Sequence, residues 1–296
     1  MNKIIVIVGP TGVGKTKLSI ELAKKFDGEI INGDSTQVYR DLDIATAKVT
    51  KKEKENIRHH LLDIKDITED YTVYDYQKDG RKAIEDILAI NKTPIIVGGT
   101  GLYIKALLYD YNFKEGNIKN DYSTFSNEEL YKKILEINPD TNIHINNRKK
   151  LERFLDYYYN TGEIIENNKT DKLLYECIFI GLTTSREVLY ERINKRVDVM
   201  VNDGLLEEAK KIYDSNIRTK AITTPIGYKE LFPYFEEEKT LEECLEDIKQ
   251  KSRKYAKRQY TWFNNQMSIN WFDVNFEEFN ETVNQIYEFI KKSVNY

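Results

Sequence analysis

The chain has 296 residues, enough for one large domain or for a core domain that carries a smaller insertion. Its formal net charge of −4 argues against a protein that coats nucleic acid nonspecifically, while leaving local basic surfaces open. Cys177 and Cys244 stand far apart with no C-x-x-C partner, which excludes a disulfide framework and a zinc site and points to a reducing cytoplasm; no run reaches transmembrane length, so no membrane partner is expected.

The apolar run Ile4-Ile5-Val6-Ile7-Val8 predicts a strand. It closes on Gly9-Pro10-Thr11-Gly12-Val13-Gly14-Lys15-Thr16, which matches G-x-x-x-x-G-K-[ST]. Leu18, Leu22 and Phe26 then fall on one face of a helix. A strand, this loop and a helix make a diphosphate or triphosphate cradle. The amides of Gly12 to Lys15 and the helix N-terminus face the anion, Lys15 adds a point charge, and Thr16 offers a hydroxyl to Mg²⁺.

Glu29-Ile30-Ile31-Asn32-Gly33-Asp34-Ser35 reads as a second strand ending in polar residues. Asp34 there is a candidate general base or metal holder; an Asx turn at a strand-to-helix junction explains it equally well. Helical segments with irregular connections are expected up to Asn91. The stretch 93–101 then reads as a buried strand running into a glycine turn. Strands alternating with helices predict an α/β fold, a P-loop NTPase-like parallel sheet with helices on both faces. In such sheets ligands sit at the carboxyl ends of the strands, where 9–16, 34–37 and 98–101 all fall.

From about Tyr111 the sequence turns polar and helical. One helix is expected over Asn127 to Ile137, and a second from about Asn147 to the region of Gly162. The second buries Leu151, Phe154, Leu155 and Tyr158 and leaves Lys149, Lys150 and Arg153 on its other side. The β pattern resumes at Cys177, so 112–176 reads as a helical insertion in a core made of 1–111 and 177–296. A helix over 186–200 is expected to turn Val188, Leu189, Ile193 and Val197 inward. A long one over 241–263 carries the apolar row Leu241, Leu245, Ile248, Tyr255 and Trp262. Between 249 and 258 there is no acid, only Lys249, Lys251, Arg253, Lys254, Lys257 and Arg258 among charged residues, which favours a phosphate-facing surface over a solvated face. A strand over 269–272 and a helix over 276–292 complete the pattern.

The phosphate loop alone leaves the reaction open. No apolar strand ends in adjacent acids and no Asn-Lys-x-Asp guanine reader occurs, which sets aside GTPases and motors. A small-molecule kinase stays possible.

Further segments narrow the choice: Asp34-Ser35-Thr36-Gln37-Val38-Tyr39-Arg40, Ala45-Thr46-Ala47-Lys48, His59-His60-Leu61-Leu62-Asp63, the run 94–104, Ile226-Gly227-Tyr228-Lys229-Glu230, and Tyr255-Ala256-Lys257-Arg258-Gln259 leading into Thr261-Trp262-Phe263. With the phosphate loop, and in this order over nearly the whole chain, they resemble the bacterial tRNA dimethylallyltransferases. The resemblance implies transfer of a dimethylallyl group from dimethylallyl diphosphate to the exocyclic amine of an adenosine beside the anticodon of tRNA, with Mg²⁺. It makes 9–16 the diphosphate site and Asp34, Thr100 and Lys15 the catalytic residues. Ser35, Thr36 and Gln37 help Asp34 and Thr100 hold the tRNA base. The insertion becomes the binder of the anticodon stem-loop, with Lys149, Lys150 and Arg153 as backbone contacts, and the protein a cytoplasmic monomer. Arg196 and Lys229 are candidates to complete the diphosphate clamp, and His59 and His60 are structural. Departures from the family pattern occur at His144-Ile145-Asn146-Asn147, at Lys150-x-x-Arg153-Phe154-Leu155 and at Pro225.

Overall fold

A computed structural model describes residues 3–110, 120–162, 164 and 172–294. The chain divides into two compact units, Met1–Tyr109 with Leu173–Tyr296, and Asp110–Lys172. The first unit begins with β1 (Ile4–Val8), α1 (Lys15–Lys25), β2 (Gly28–Asn32), β3 (His59–His60), α2 (Val73–Ala89), β4 (Thr93–Val97) and α3 (Gly101–Leu108). The second unit contains α4 (Asn127–Ile137) and α5 (Arg148–Thr161). The first resumes with β5 (Cys177–Thr183), α6 (Arg186–Asn202), α7 (Leu205–Asp214), α8 (Lys220–Thr223), α9 (Phe232–Phe235), α10 (Leu241–Gln266), β6 (Asn270–Asp273) and α11 (Phe279–Val294).

The six strands form one parallel sheet in the order β3-β2-β4-β1-β5-β6. β1 lies in the middle, with Val6 opposite Ile96 of β4 and Phe179 of β5. All five of its residues are apolar because both sheet faces are covered. Ile4, Val6 and Val8 enter a core shared with α2, α3, α7 and α10, while Ile5 and Ile7 enter a second core with α1, α6 and α11. The period of two along the strand sends alternate side chains to opposite faces. The sheet thus agrees with the expected fold class.

Two departures from the sequence reading concern the layout of strands and units. The region before Asn91 contains the edge strand β3, where His59 and His60 pair with Ile30 and Ile31 of β2. Two residues carry no periodicity, so the pairing is invisible until β2 is present beside it. His60 Nε2 lies 2.7 Å from the Glu29 carboxylate and His59 Nδ1 2.9 Å from the Ile57 carbonyl, roles that belong to the sheet edge. The second departure is the end of the insertion. The reading 112–176 becomes 110–172, because Leu173 bridges to Tyr109 and the Leu174 N–H donates to the Leu108 carbonyl at 2.9 Å.

Inside the second unit, α4 and α5 enclose their own core of Tyr122, Leu130, Ile134, Leu151, Phe154 and Leu155. Ser126 and Glu129 form a capping box at the start of α4; Asn147 caps α5, which ends at Gly162 in the left-handed conformation. Tyr157 completes the buried face of α5 in place of Tyr158, which packs edge-on against the exposed Tyr159. Arg148 is internal to this unit, donating to the carbonyls of Tyr122 and Phe125 and paired with Glu152. Lys149, Lys150 and Arg153 are exposed.

Candidate active site

Parallel strands place the loops that follow β1, β2, β4 and β5 at one sheet edge. The loop after β1 turns through Gly12 and Gly14 at φ 83° and 98°, values that side-chain-bearing residues rarely adopt. Its fixed points are side-chain bonds. Lys15 Nζ donates to the carbonyls of Gly9 and Pro10 at 3.0 and 2.8 Å. The Thr11 N–H donates to Gln259 Oε1 at 2.9 Å, and Arg192 Nε donates to the Gly12 carbonyl at 3.1 Å. None of these bonds uses the amides of Gly12, Val13, Gly14 or Lys15, which remain for an anion at the start of α1.

Three cations surround this cradle. Burial lowers the Lys15 pKa to about 8, an effect partly opposed by the negative charge of Asp34 and reinforced by Arg196. Arg196 reaches the Thr11 hydroxyl at 3.5 Å, and burial lowers its pKa while Glu53 and Asp34 act to raise it. Arg192 lies with its guanidinium 3.7 Å from the centre of the Phe276 ring. Arg196 therefore lies beside the loop after β1. Lys229 does not: its ammonium donates to the Thr223 carbonyl at 2.6 Å, and the side chain is exposed, so it takes no part in the loop's bonds.

The turns after β2 and β4 meet through glycine. A Cβ on Gly98 would lie 2.1 Å from the Gly33 carbonyl oxygen, so a side chain there would force the two turns apart. Their contact brings Asp34, Ser35 and Thr100 together. Thr36 donates from its N–H and its hydroxyl to Asp34 Oδ1, at 2.9 and 2.7 Å. Both bonds fall on one oxygen, so the Asx turn exists and Oδ2 takes no part in it. Thr100 Oγ1 accepts from the Ser35 N–H at 3.1 Å, and the Tyr255 side chain lies beside both Thr100 and Gln259. Burial chiefly raises the pKa values of Tyr255 and Tyr103, and the charge of Asp34 adds to it in both. Asp34 is thus the negative centre of a half-buried, aromatic-walled site that also holds Lys15 and Arg196. The Gln37 amide donates to the carbonyls of Thr46 and Ala47.

The remaining motif residues build the frame. Lys48 is buried and donates to the Tyr39 carbonyl, Asp43 and Asp63 at 2.7, 2.6 and 2.6 Å. Glu208 of α7 accepts from the N–H groups of Asp43, Ile44 and Ala45 and from the Tyr228 hydroxyl. The basic stretch of α10 is less free than its sequence suggests. Lys249 pairs with Asp198, Lys251 with Glu230 and Arg253 with Glu246, acids that come mostly from other elements. Lys257 and Arg258 remain exposed, and with Thr261, Trp262, Asn265 and Gln266 they line a surface groove of about 350 Å³.

A sequence model of the family described as IPP transferase matches residues 37–266, most of the chain. The chain belongs to the IPP transferase family. It is 47% identical over 98% of its length to the tRNA dimethylallyltransferase of Anoxybacillus flavithermus, covering 96% of that protein. It is 49% identical to the enzyme of the same name from Enterococcus faecalis, over 93% of this chain and 92% of that one. Among solved structures, the tRNA isopentenylpyrophosphate transferase of Bacillus halodurans superposes with a TM-score of 0.78 at 41% identity, covering 100% of this chain and 97% of that one. A eukaryotic dimethylallyltransferase acting on tRNA superposes with a TM-score of 0.82 at 34% identity, over 92% of this chain and 74% of that one.

Within this family fold, the donor set for a metal is small. Among the described residues no group of three His, Cys, Asp or Glu side chains could hold an ion. Thr16, exposed in the first turn of α1, sits beside the anion-facing amides. One hydroxyl plus phosphate oxygens suits Mg²⁺, which keeps several waters and takes few protein ligands.

Three residues that the sequence reading did not select lie in the site: Arg192, Tyr255 and Gln259. Gln259 had a signal. It closes the segment Tyr255-Ala256-Lys257-Arg258-Gln259, and the structure buries it with Cys244, Ile248, Ala256 and Phe263 of α10 instead of the expected row of Leu241, Leu245, Tyr255 and Trp262.

Proposed function

We propose that this site transfers a dimethylallyl group from dimethylallyl diphosphate to the exocyclic amine of the adenosine adjacent to the anticodon in tRNA, releasing diphosphate. The observation that carries the reading is the meeting of an anion cradle and one carboxylate oxygen, Asp34 Oδ2, at the same sheet edge. The allylic C–O bond breaks as the amine nitrogen forms its new bond to carbon, and the amine proton passes to Asp34. Negative charge gathers on the departing diphosphate. The amides of Gly12 to Lys15, the Lys15 ammonium and Arg196 are fixed before the reaction and stabilise that charge without rearranging. Mg²⁺, held by Thr16 and the diphosphate, would supply further neutralisation of the leaving group.

The adenine amine is a weak nucleophile because its lone pair is delocalised into the ring, so orientation matters. Ser35, Thr36 and Thr100 surround Asp34 and would hold the base, which must leave its stack to reach them. Gln37 would act through the 46–47 turn that it ties down. The exposed Lys149, Lys150 and Arg153 of α5 would contact the phosphates of the anticodon stem, where shape and backbone charge dominate RNA recognition. The protein acts as a monomer in the cytoplasm. Both cysteines are free thiols, as a reducing compartment allows.

The deciding experiment supplies dimethylallyl diphosphate with unmodified tRNA, and in parallel ATP with small hydroxyl acceptors. Prenylated tRNA formed without ATP is expected. Phosphate transfer from ATP with no prenylation would overturn the reading.

A further inference from the structure

Gln259 occupies a place on α10 where the helix otherwise turns apolar side chains inward, and only 4% of it is exposed. A buried amide is tolerated when both its ends are bonded. Here both are, to different loops. Oε1 accepts from the Thr11 N–H at 2.9 Å, in the loop after β1, and Nε2 donates to the Gly99 carbonyl at 3.1 Å, in the turn after β4. Gly99 is shaped around it: a Cβ there would lie 2.0 Å from Nε2 and 4.0 Å from Asp34 Oδ2. Tyr255 lies beside both Gln259 and Thr100, and Thr100 in turn holds the Ser35 N–H. One side chain therefore ties the anion cradle to the turn that carries Thr100 and faces Asp34.

We infer that Gln259 is a positioning residue, a strap that fixes the separation between the diphosphate loop and the acceptor turn and so sets the reacting distance without touching either substrate. The inference rests on the reading of 9–16 as the diphosphate cradle and of Asp34 as the proton acceptor. Two half-sites on separate strands can each bind their substrate normally and still react slowly, because transfer needs carbon and nitrogen near van der Waals contact and in line. A misplacement of about 1 Å costs on the order of 10²-fold in rate. Loosening the strap should therefore act on turnover and spare binding.

The test uses the full-length chain with dimethylallyl diphosphate and unmodified tRNA. Gln259→Glu keeps the acceptor for Thr11 but sets a carboxylate oxygen against the Gly99 carbonyl, whereas Gln259→Met removes both bonds at similar length. Each should lower kcat about 10²-fold while both KM values stay within about threefold of wild type. The affinity for inorganic pyrophosphate, measured calorimetrically, should not change. Wild-type kcat in both variants would overturn the strap, as would a fall in kcat matched by an equal loss of pyrophosphate binding, which marks a merely structural residue. Should neither variant fold, Gly99→Ala, whose methyl group displaces Nε2, must show the same loss confined to kcat; normal turnover there refutes the strap. Failure of the wild-type chain to prenylate tRNA at all would instead remove the reading on which the strap depends.

Discussion

Thr100 accepts the Ser35 N–H at 3.1 Å, joining the turn after β4 to the residue next to Asp34. The bond makes Thr100 a support for the carboxylate as well as a neighbour of the acceptor. Thr100→Val removes the acceptor oxygen and leaves that amide without its partner, a cost of about 1–3 kcal/mol within the site. Turnover should fall about 10- to 100-fold in steady-state assays if that cost appears in the transition state. Thr100→Ser should stay near wild type. Equal activity in the valine variant would show that Ser35 is held by other means.

Asp34 Oδ1 takes both bonds of the Asx turn, and Oδ2 is the oxygen proposed to receive the proton. In Asp34→Asn the side-chain carbonyl can still accept from Thr36, so the Asx turn should survive. The group can no longer take a proton. Turnover should drop roughly 10²–10⁴-fold, as expected for loss of a general base, while tRNA affinity holds. Near-normal turnover would leave Asp34 as a turn-former alone.

Lys15 gives the site a pH dependence. Burial holds its pKa near 8, below the ordinary value of 10.5, and under the proposed function only the protonated form would neutralise the diphosphate. For the free enzyme, kcat/KM for dimethylallyl diphosphate should decline above about pH 8 with a limiting slope of one decade per pH unit. Since the folded-state pKa lies below the unfolded one, charged Lys15 disfavours the folded chain. That penalty is complete below pH 8 and is relieved as pH rises from 8 to 10.5. Thermal unfolding of the Lys15→Met variant, compared with wild type across this window, checks the sign.

The insertion's cations should act through phosphate. Replacing Lys149, Lys150 and Arg153 with Glu should weaken tRNA binding at low salt. It should also flatten the slope of log affinity against log salt by about one unit for each phosphate that no longer meets a cation. The insertion has its own apolar core away from these side chains, so its helicity should persist. An unchanged salt slope would place the tRNA surface elsewhere.

The parts of this protein that sequence made legible are those governed by local pattern. The all-apolar Ile4–Val8 requires a strand covered on both faces, and the spacing of Gly9, Gly14, Lys15 and Thr16 requires a cradle between that strand and a helix. Helices α4 and α5 carried their boundaries in capping residues, Ser126 with Glu129 and Asn147 with Gly162. The apolar pattern counts Val188 into the inward row. Instead its N–H faces the Ser185 cap in the first turn and its side chain is exposed, leaving Leu189, Ile193 and Val197 as the buried line.

Sequence by itself determined the alternation of strands and helices and the phosphate loop, which depend on neighbours within a few residues, and the motif order that marks the family, which is read along the chain without packing. Only the tertiary structure decided which groups share the site. Thr11, Gly99 and Gln259 are 248 and 160 residues apart along the chain in their two bonds, and Asp34 meets Thr100 because two glycine turns touch. It also decided which cations of α10 are already paired, because most of their acids come from α6 and from the segment before α9. Hydrogen bonds and charge pairs act through space over a few ångströms, so a one-dimensional pattern can offer the partners but only packing selects them.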